Sequence, residues 1–385
     1  MAKVKVGVIG YGNMGSAHSK NIYAGKVKDM ELVSICDIDP EKLAKAASQC
    51  QGVKTFDNAS DMFKSGIINT VIIAVPHYLH PPMAVEAFSY GLNVLSEKPA
   101  GVYTKQVLEM NEAAKKSGKV FGIMFNQRTN PLYQKVKQMV ESGELGHIKR
   151  ISWIITDWYR PQAYHDSCTW RSTWATEGGG TLINQNPHQL DLWQWMFGLP
   201  DKVWADCSFG KYRNIEVDDD VTAYFKYDNG TTGTYITSTG EAPGTNRLEV
   251  ASDMGRIVVE DGKLSFLKLE MPEPEFNLTT TSPFGCPKSA PCEVEIIGEQ
   301  TAHVGILNNF ASAIANGTPL LAKGEEGIKA LTLGNSIYYS SWTGSWVDVK
   351  NFPHDDFYSK LQEKIASSEV NKKESSVTVN LDGTY

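Results

Sequence analysis

The stretch Val4-Lys5-Val6-Gly7-Val8-Ile9-Gly10-Tyr11-Gly12-Asn13-Met14-Gly15 opens the sequence and decides its fold. The apolar run predicts a strand over residues 4–9, and Gly10, Gly12 and Gly15 follow where the chain turns into a helix. Glycines at these places let the backbone approach a pyrophosphate, whose charge the N-terminus of the helix stabilises. The stretch therefore predicts a dinucleotide site, and a tight turn without a ligand is the alternative.

Short apolar strands alternate with helical patterns up to about residue 125. Asp39-Pro40 supplies a cap and a first turn for one of the intervening helices. This alternation is typical of a doubly wound parallel sheet, so we expect a nucleotide-binding domain of this kind over residues 1–125. The predicted strands are 4–9, 32–36, 70–75, 93–96 and 120–124.

Residues after 125 follow a different pattern. A strand is predicted at 148–155, and from Lys202 onward buried and exposed residue types alternate as in antiparallel strands. Helices are predicted at 301–316 and 324–341. We expect a second α/β domain over 126–365 and a polar C-terminal tail or arm over 366–385.

Size and composition fit a two-domain globular protein. The chain has 385 residues, of which 41% are hydrophobic and 21% charged, and its net charge of -7 includes no basic stripe. This balance argues against nucleic acid as a partner. No apolar run reaches the roughly 18 residues of a membrane helix, so we expect no membrane association and a cytoplasmic location.

Six cysteines are scattered along the sequence. Only Cys286 and Cys292 are close together, in Cys286-Pro-Lys-Ser-Ala-Pro-Cys292. Reduced thiols are expected, and a local disulfide or a metal role for this pair is the less favoured alternative.

The acid at the end of the second predicted strand indicates which dinucleotide binds. Asp37 lies twenty-two residues after Gly15, where a carboxylate accepts hydrogen bonds from ribose hydroxyls and repels a 2′-phosphate. Ile38 and Asp39 follow instead of arginine. The sequence therefore favours NAD over NADP.

Two histidines follow the predicted strand at 70–75, in Pro76-His77-Tyr78-Leu79-His80. Ligands bind at this edge of parallel sheets, so His77 and His80 could face the nicotinamide or the substrate. Their spacing also permits a metal, but no third ligand is nearby. We therefore expect no metal, and solvated or capping histidines are the alternative.

A cation and a histidine are the candidate catalytic pair. Lys98 stands at the end of an apolar strand, and Gly178-Gly179-Gly180 leads into a segment that contains Asn184, His188 and Asp191. Read as one helix, the last three share a face. Neutral histidine suits the removal of a hydroxyl proton, Lys98 would stabilise the alkoxide, and Asn184 can hold the substrate or the lysine. A structural histidine, a surface acid and a snorkelling lysine are the alternatives.

These motifs together resemble the Gfo/Idh/MocA oxidoreductase family. The resemblance rests on Val6-Gly7-Val8-Ile9-Gly10-Tyr11-Gly12, on Glu97-Lys98-Pro99 and on the glycine triplet followed by His188-Gln189-Leu190-Asp191, and it spans about 3–350. It implies a Rossmann domain followed by a mixed α/β domain with a large open, mainly antiparallel sheet. It also implies NAD(P)-dependent oxidation of a sugar, inositol or related polyol, and a homodimer or homotetramer.

The resemblance assigns the catalytic roles to Lys98 and His188. The sequence departs from the family at Asn184, where many inositol dehydrogenases have aspartate, so an aspartate-assisted relay and an inositol substrate stay open. The predicted cofactor-binding residues are Gly10, Gly12, Asn13, Met14, Gly15, Asp37, Pro76, His77, His80, Glu97 and Lys98.

Trp170-Arg171 resembles a substrate-loop element of part of the family, and aromatic planes with a fork of N–H donors suit a sugar ring. Trp193 and Trp195 are interpreted as core, and His303 as an exposed residue at a helix start that could still reach the site. The predicted substrate-binding residues are Asn184, Arg171, Trp170, Tyr159 and His165.

The sequence thus predicts an NAD-dependent dehydrogenase that oxidises a ring hydroxyl of a glucose-like sugar or glycoside, at C3. A redox-neutral enzyme that cleaves glycosides through transient oxidation and an inositol dehydrogenase are the alternatives. A non-catalytic sugar or nucleotide sensor is disfavoured, because a sensor needs no proton acceptor such as His188.

Overall fold

The computed structural model of the protein describes residues 3–368. The predicted polar tail or arm over 366–385 lies outside the described residues except for 366–368, which end the last helix and follow it. The predicted fold class is confirmed: a parallel six-stranded sheet is followed by a larger mixed sheet.

The first sheet consists of six parallel strands in the order β3-β2-β1-β4-β5-β6. Its central strands are buried on both faces, as a parallel sheet covered by helices requires. The strands are β1 (Val4–Ile9), β2 (Met30–Cys36), β3 (Lys54–Phe56), β4 (Thr70–Ile73), β5 (Asn93–Ser96) and β6 (Phe121–Ile123). The helices are α1 (Asn13–Tyr23), α2 (Pro40–Gln49), α3 (Ala59–Lys64), α4 (His80–Ser89) and α5 (Thr104–Ser117).

The predicted strands of this sheet are all present, with small differences at their ends. β4 ends two residues earlier than predicted, and the carbonyl of Ala74, the next residue, lies close to Gly10 of the glycine turn. Asp39 caps α2 as predicted and accepts hydrogen bonds from Glu41 N and Lys42 N. The third strand was not predicted, since Lys54–Phe56 is too short to show a periodic pattern.

The second sheet has nine strands in the order β14-β13-β12-β11-β7-β10-β9-β8-β15. Only the central β7 and β10 pair in parallel, and all other neighbours are antiparallel. The strands are β7 (Ile148–Ile155), β8 (Lys202–Phe209), β9 (Asp218–Lys226), β10 (Thr232–Ser238), β11 (Asn246–Ser252), β12 (Gly255–Glu260), β13 (Lys263–Leu269), β14 (Ser289–Cys292) and β15 (Val347–Asp348).

Seven α-helices follow residue 125 in the described part of the chain. The two predicted near the C-terminus are present, and the second begins with a 3-10 turn at Gly324–Glu326 before its α-helical part. The helices are α6 (Pro131–Glu141), α7 (Gln162–His165), α8 (Pro187–Phe197), α9 (Glu273–Thr279), α10 (Ala302–Asn316), α11 (Gly327–Thr343) and α12 (His354–Ala366).

Helix α8 is buried and packs against both the nine-stranded sheet and α11. Trp193 packs edge-on against Phe225 of β9, with ring centroids 4.9 Å apart, and its Nε1 donates to the Tyr227 hydroxyl at 2.7 Å. On the other side, Leu190 lies against Gly334 of α11. The prediction that Trp193 belongs to the core is confirmed, and this packing fixes the position of His188 in the first turn of the helix.

The glycine triplet before α8 is held by Asp218, the buried first residue of β9. Its carboxylate accepts hydrogen bonds from Gly180 N at 2.7 Å, from Leu182 N at 2.9 Å and from the Tyr338 hydroxyl of α11. A Cβ at position 180 would lie 2.1 Å from the Asp218 main-chain oxygen, so only glycine allows this approach. The loop is therefore fixed both to strand β9 and to helix α11.

Within residues 3–368, no helix is both long and apolar enough to cross a bilayer. All six cysteines belong to this part of the chain, and none of them forms a disulfide. No group of three His, Cys, Asp or Glu side chains in the described residues is arranged to hold a metal ion.

Asp191 forms a buried ion pair instead of lying at the surface or capping a helix. Arg128, in a 3-10 turn at Asn126–Thr129, donates from Nε and Nη2 to its two carboxylate oxygens at 2.8 and 2.7 Å. Both side chains are 1% exposed. Arg128 also donates to Glu326 Oε2 at 2.5 Å, so one guanidinium joins the turn after β6 to α8 and α11.

We predict that Asp191→Ala lowers the free energy of unfolding by about 3–5 kcal/mol, because it leaves a buried guanidinium without its bidentate partner. Urea unfolding followed by circular dichroism measures this. Asp61→Ala is the matched control: its exposed pair with Lys64, at 4.0 Å, should contribute less than about 1 kcal/mol. Equal stability of the two variants would contradict the structural role of Asp191.

Candidate active site

The glycine turn between β1 and α1 leaves a cradle in front of the helix. Gly10 has a φ of 87°, and a Cβ there would lie 2.3 Å from Ala74 O. A Cβ on Gly15 would lie 1.8 Å from Gly10 O, whereas one on Gly12 would meet nothing within 4 Å. The turn is thus tight on the protein side and open on the other, as a pyrophosphate at a helix N-terminus requires. Asn13 and Met14 are partly exposed at this opening.

Asp37 is fixed at the tip of β2, beside the cradle. Its Oδ2 accepts a hydrogen bond from Tyr11 N at 2.6 Å, and its Oδ1 accepts from Asp39 N at 3.0 Å. Ile38 next to it is 88% exposed. The backbone therefore holds a carboxylate where a ribose would lie, and these residues fit NAD.

The two histidines after β4 have different surroundings. His80 is buried, and its two ring nitrogens lie 2.7 Å from Pro99 O and Val75 O. His80 therefore ties two chain segments together. The His77 ring packs edge-on against Trp170 at 5.3 Å, and its Nδ1 lies 3.0 Å from Glu177 O, so it connects this segment to the loop before the glycine triplet. Pro76 is exposed at the mouth of the sheet.

Lys98 lies between the two sheets and contacts the turn that precedes α8. Its Nζ donates to Asn184 O at 2.8 Å, and its main-chain N–H donates to Glu97 Oε2 at 3.2 Å. Burial lowers the pKa of Lys98 to about 8; Glu97 opposes this shift, and Arg171 adds to it. The ammonium can therefore change its protonation state near neutral pH, which is an unusual property for lysine.

A buried pair lies behind Lys98. Glu97 Oε1 lies 2.6 Å from His18 Nε2 of α1, and the His18 ring centroid lies 5.6 Å from that of His303. Burial raises the pKa of Glu97, but the hydrogen bond and the charge of His18 outweigh it and leave the pKa at about 2. Glu97 is therefore a permanent negative charge beside the site.

His303 is not the exposed residue that the sequence suggested. It is partly buried near His18, and burial lowers its pKa to about 4. His18 itself was missed by the sequence reasoning. The signal was present, because Gly15, His18, Ser19 and Ile22 form the buried face of α1.

His188 is buried at the start of α8, and its ring lies 6.4 Å from that of Trp158. Burial lowers its pKa well below the usual value, and the charges of Lys98 and His303 act in the same direction. The imidazole is therefore neutral at physiological pH, the form that can accept a proton.

Asn184 does not share a helix with His188, in contrast to the prediction, whereas Asp191 follows His188 by three residues within α8. The helix begins only at Pro187, and Asn184 lies in the preceding turn, where its N–H donates to Gly180 O at 2.9 Å. Its carbonyl accepts the Lys98 ammonium, while its side-chain amide donates to Glu177 Oε1. Asparagine thus holds the lysine through its main chain.

The predicted substrate residues form one lip of the site, with two exceptions. The Arg171 guanidinium lies over the rings of Tyr164 and Trp170, at 4.3 and 4.8 Å, and donates to the Tyr164 hydroxyl. Tyr159 is 44% exposed and lies farther out, against Arg213. His165 is buried behind the lip, where its Nδ1 lies 2.7 Å from Ser172 Oγ, so it supports the loop.

The structure brings one further residue into the site. Glu177, 3% exposed, accepts hydrogen bonds from Asn184 Nδ2 and from Ser172 N. The sequence reasoning passed over it, although an acid directly before a glycine triplet is a recognisable signal. Lys98, Asn184, Arg171, Trp170 and Glu177 therefore form one connected group.

Comparison with known families agrees with this arrangement. Residues 4–125 match the model of an oxidoreductase family with an NAD-binding Rossmann fold, GFO/IDH/MocA, and residues 133–258 match the GFO/IDH/MocA C-terminal domain. Together the two matches cover more than half of the chain. Lys98 belongs to the first matched region and Asn184 to the second, and the two residues are in contact between the two sheets.

Individual relatives resemble the chain over different lengths. Levoglucosan dehydrogenase from Pseudarthrobacter phenanthrenivorans is 25% identical over 91% of this chain and 99% of its own. An inositol 2-dehydrogenase from Rubrobacter xylanophilus is 28% identical, but over 50% of this chain and 52% of its own. The structure of the WlbA dehydrogenase from Bordetella pertussis with NADH and UDP-GlcNAcA has a TM-score of 0.77 at 26% identity, and covers 90% of this chain and 98% of its own.

We predict that Gly12→Ala weakens NADH binding by at least about tenfold without lowering thermal stability, because the methyl group enters the open cradle and clashes with no protein atom. Gly15→Ala should lower both, since its methyl group would overlap Gly10 O. NADH fluorescence titration and thermal unfolding measure the two effects. Unchanged NADH affinity in Gly12→Ala would show that the pyrophosphate binds elsewhere.

Proposed function

The chain belongs to the Gfo/Idh/MocA family and is an NAD-dependent oxidoreductase acting on CH–OH groups, and we propose that it oxidises a ring hydroxyl of a glucose-like sugar or glycoside at C3. Bound NAD supplies the hydride acceptor. The glycine turn and Asp37 hold the cofactor, His188 takes the hydroxyl proton, and the Lys98 ammonium stabilises the developing negative charge on the substrate oxygen.

One observation carries this assignment. The Lys98 ammonium donates to Asn184 O at 2.8 Å, and the turn that contains Asn184 leads within four residues to His188. The charge of Lys98 also acts on His188, so a cation and a neutral imidazole from different proposed domains lie close enough to influence each other. Alcohol oxidation needs both groups, because the proton must be accepted while the oxygen is stabilised. We propose that the boundary between the two domains lies between residues 125 and 126.

The shape of the lip supports a sugar ring as the substrate. Tyr164 and Trp170 present aromatic planes beside the Arg171 guanidinium, a combination that binds the apolar face and the hydroxyls of a pyranose. Relatives named for levoglucosan and for myo-inositol each match most of the chain, over 91% and 86% of its length. The preference for a sugar over inositol therefore rests on the lip.

A substrate panel tests the proposal. Free sugars, glycosides and inositols are incubated with the protein and NAD, and the reduced nicotinamide is followed by absorbance while products are identified by mass spectrometry. A keto sugar with stoichiometric NADH is expected. Release of an aglycone without NADH would instead establish redox-neutral cleavage, and no reaction with any member would contradict both.

Lys98→Ala and His188→Ala should each lower kcat by about 10²–10⁴-fold, since each removes a group that acts on the reacting oxygen or its proton. NADH affinity should survive, because the glycine turn and Asp37 are unchanged. Lys116→Ala and His147→Ala, at exposed positions, are the matched controls. Full activity in either site variant would refute the role given to that residue.

The pH profile of kcat/KM for sugar oxidation should show one titration near neutral pH. His188 is already neutral well below pH 6.5, so it causes no loss of kcat/KM above that pH. Lys98 loses its charge as the pH rises through about 8, and kcat/KM should fall there if the charged form stabilises the oxyanion. A rise through the same pH would instead show that neutral Lys98 is the base.

A further inference from the structure

A single buried carboxylate joins the substrate lip to the turn that holds Lys98. Glu177 Oε2 accepts the main-chain N–H of Ser172 at 2.5 Å, and Glu177 Oε1 accepts the side-chain amide of Asn184. These two partners belong to different segments, one before and one after the glycine triplet. Glu177 therefore fixes the distance between them.

The bond to Ser172 holds an unusual backbone conformation. Ser172 has a φ of 64°, in the left-handed region that residues other than glycine rarely adopt. Its hydroxyl is also engaged, 2.7 Å from His165 Nδ1. Because Ser172 follows Arg171 directly, the conformation held by Glu177 sets where the guanidinium lies above Tyr164.

The bond to Asn184 acts on the other side. The same residue that donates its amide to Glu177 accepts the Lys98 ammonium on its carbonyl at 2.8 Å. Its amide also lies 3.3 Å from the Tyr164 hydroxyl, to which Arg171 donates. A rotation of Asn184 would therefore move the acceptor of Lys98 and the contact to the lip together.

We propose that Glu177 is a positioning residue that couples the substrate lip to Lys98 through Asn184, and that its charge favours the ammonium form of Lys98 during sugar oxidation. The expected effect of Glu177 on turnover rests on the proposed function. The expected effect of Glu177 on Lys98 does not depend on any substrate.

The charge of Glu177 matters because cations surround Lys98. Arg171 and Arg160 both repel the ammonium, while Glu177 and the adjacent Glu97 favour it. Removing one of the two negative charges should lower the pKa of Lys98 further. The other titratable groups that interact with this ammonium are His77, His80, His188 and His303.

The same loop offers a matched control. Glu216 Oε1 accepts the main-chain N–H of Trp174 at 2.7 Å, so Glu216 also anchors the loop through a backbone hydrogen bond. The loop thus has two carboxylate anchors, of which Glu177 bonds to Asn184. A general loosening of the loop should follow from the loss of either acid, whereas the effect on Lys98 should follow from Glu177 alone.

The first experiment measures the Lys98 pKa without any substrate. The NAD-bound protein is labelled with acetic anhydride over a range of pH, and acetylation of the Lys98 peptide is quantified by mass spectrometry. Glu177→Gln should shift the labelling midpoint to lower pH, by on the order of one unit, and Glu216→Gln should leave it in place. An unchanged midpoint in Glu177→Gln, or an equal shift in both variants, would overturn the proposal.

The second experiment exchanges the two partners of the hydrogen bond. Asn184→Asp places two carboxylates in contact and should lower kcat by about 100-fold, while Glu177→Gln should lower it by about tenfold with little change in KM for NAD. The double variant Glu177→Gln with Asn184→Asp restores one acid facing one amide, and should recover at least about tenfold over Asn184→Asp. Additive losses in the double variant would contradict the coupling.

The two experiments separate the inference from the proposed function. If no sugar is oxidised, the proposed function fails, but the labelling midpoint still decides whether Glu177 controls Lys98. If sugars are oxidised and the midpoint does not move, the proposed function stands and the role of Glu177 is wrong. NADH titration and thermal unfolding of each variant confirm that the compared proteins are folded.

Discussion

An ammonium group at the end of a buried strand needs an acceptor, and the hydrogen bond from Lys98 to Asn184 O supplies it. This bond joins the edge of the six-stranded sheet to the turn that precedes α8. A main-chain carbonyl is a neutral acceptor, so the lysine is oriented without being neutralised by a direct ion pair. A carboxylate partner would have compensated the charge of the lysine. With a neutral acceptor, that charge stays available for a substrate oxygen in the proposed reaction.

Asn184 O can hold the Lys98 ammonium in place because the turn that carries Asn184 is itself fixed by hydrogen bonds. Asp218 binds two backbone N–H groups of that turn and the Tyr338 hydroxyl, and the glycines allow the backbone to come this close. Helix α8 continues from the turn and is packed on the sheet through Trp193. The position of His188 therefore follows from contacts of the second sheet, while that of Lys98 follows from the first. The proposed catalytic geometry is set where these two separately built supports meet.

The sequence predicts the parts of this arrangement that depend on local pattern. The strand and glycines of residues 4–15, Asp37 and the motif around Lys98 are readable because turn chemistry and strand period act over a few residues. The partners were not readable in the same way. Asn184 was placed on a helix face by its spacing to His188, but the helix starts at Pro187, and its real contacts come from Lys98 and Glu177. Which distant groups meet is decided by the packing of both sheets.

The contrast between Asp191 and Glu177 shows why spacing alone does not reveal what a buried acid does. Both are buried carboxylates near His188 in sequence. The negative charge of Asp191 is compensated by the Nε and Nη2 donors of the Arg128 guanidinium. The same guanidinium holds three segments of the chain together. Glu177 accepts hydrogen bonds from the Ser172 main-chain N–H and the Asn184 side-chain amide, and its charge acts on Lys98. A buried acid bound to an arginine fork is expected to stabilise the fold, whereas one bound to amides beside a lysine of lowered pKa can tune that lysine. The distinction lies in what compensates each charge, and that is fixed by the tertiary structure.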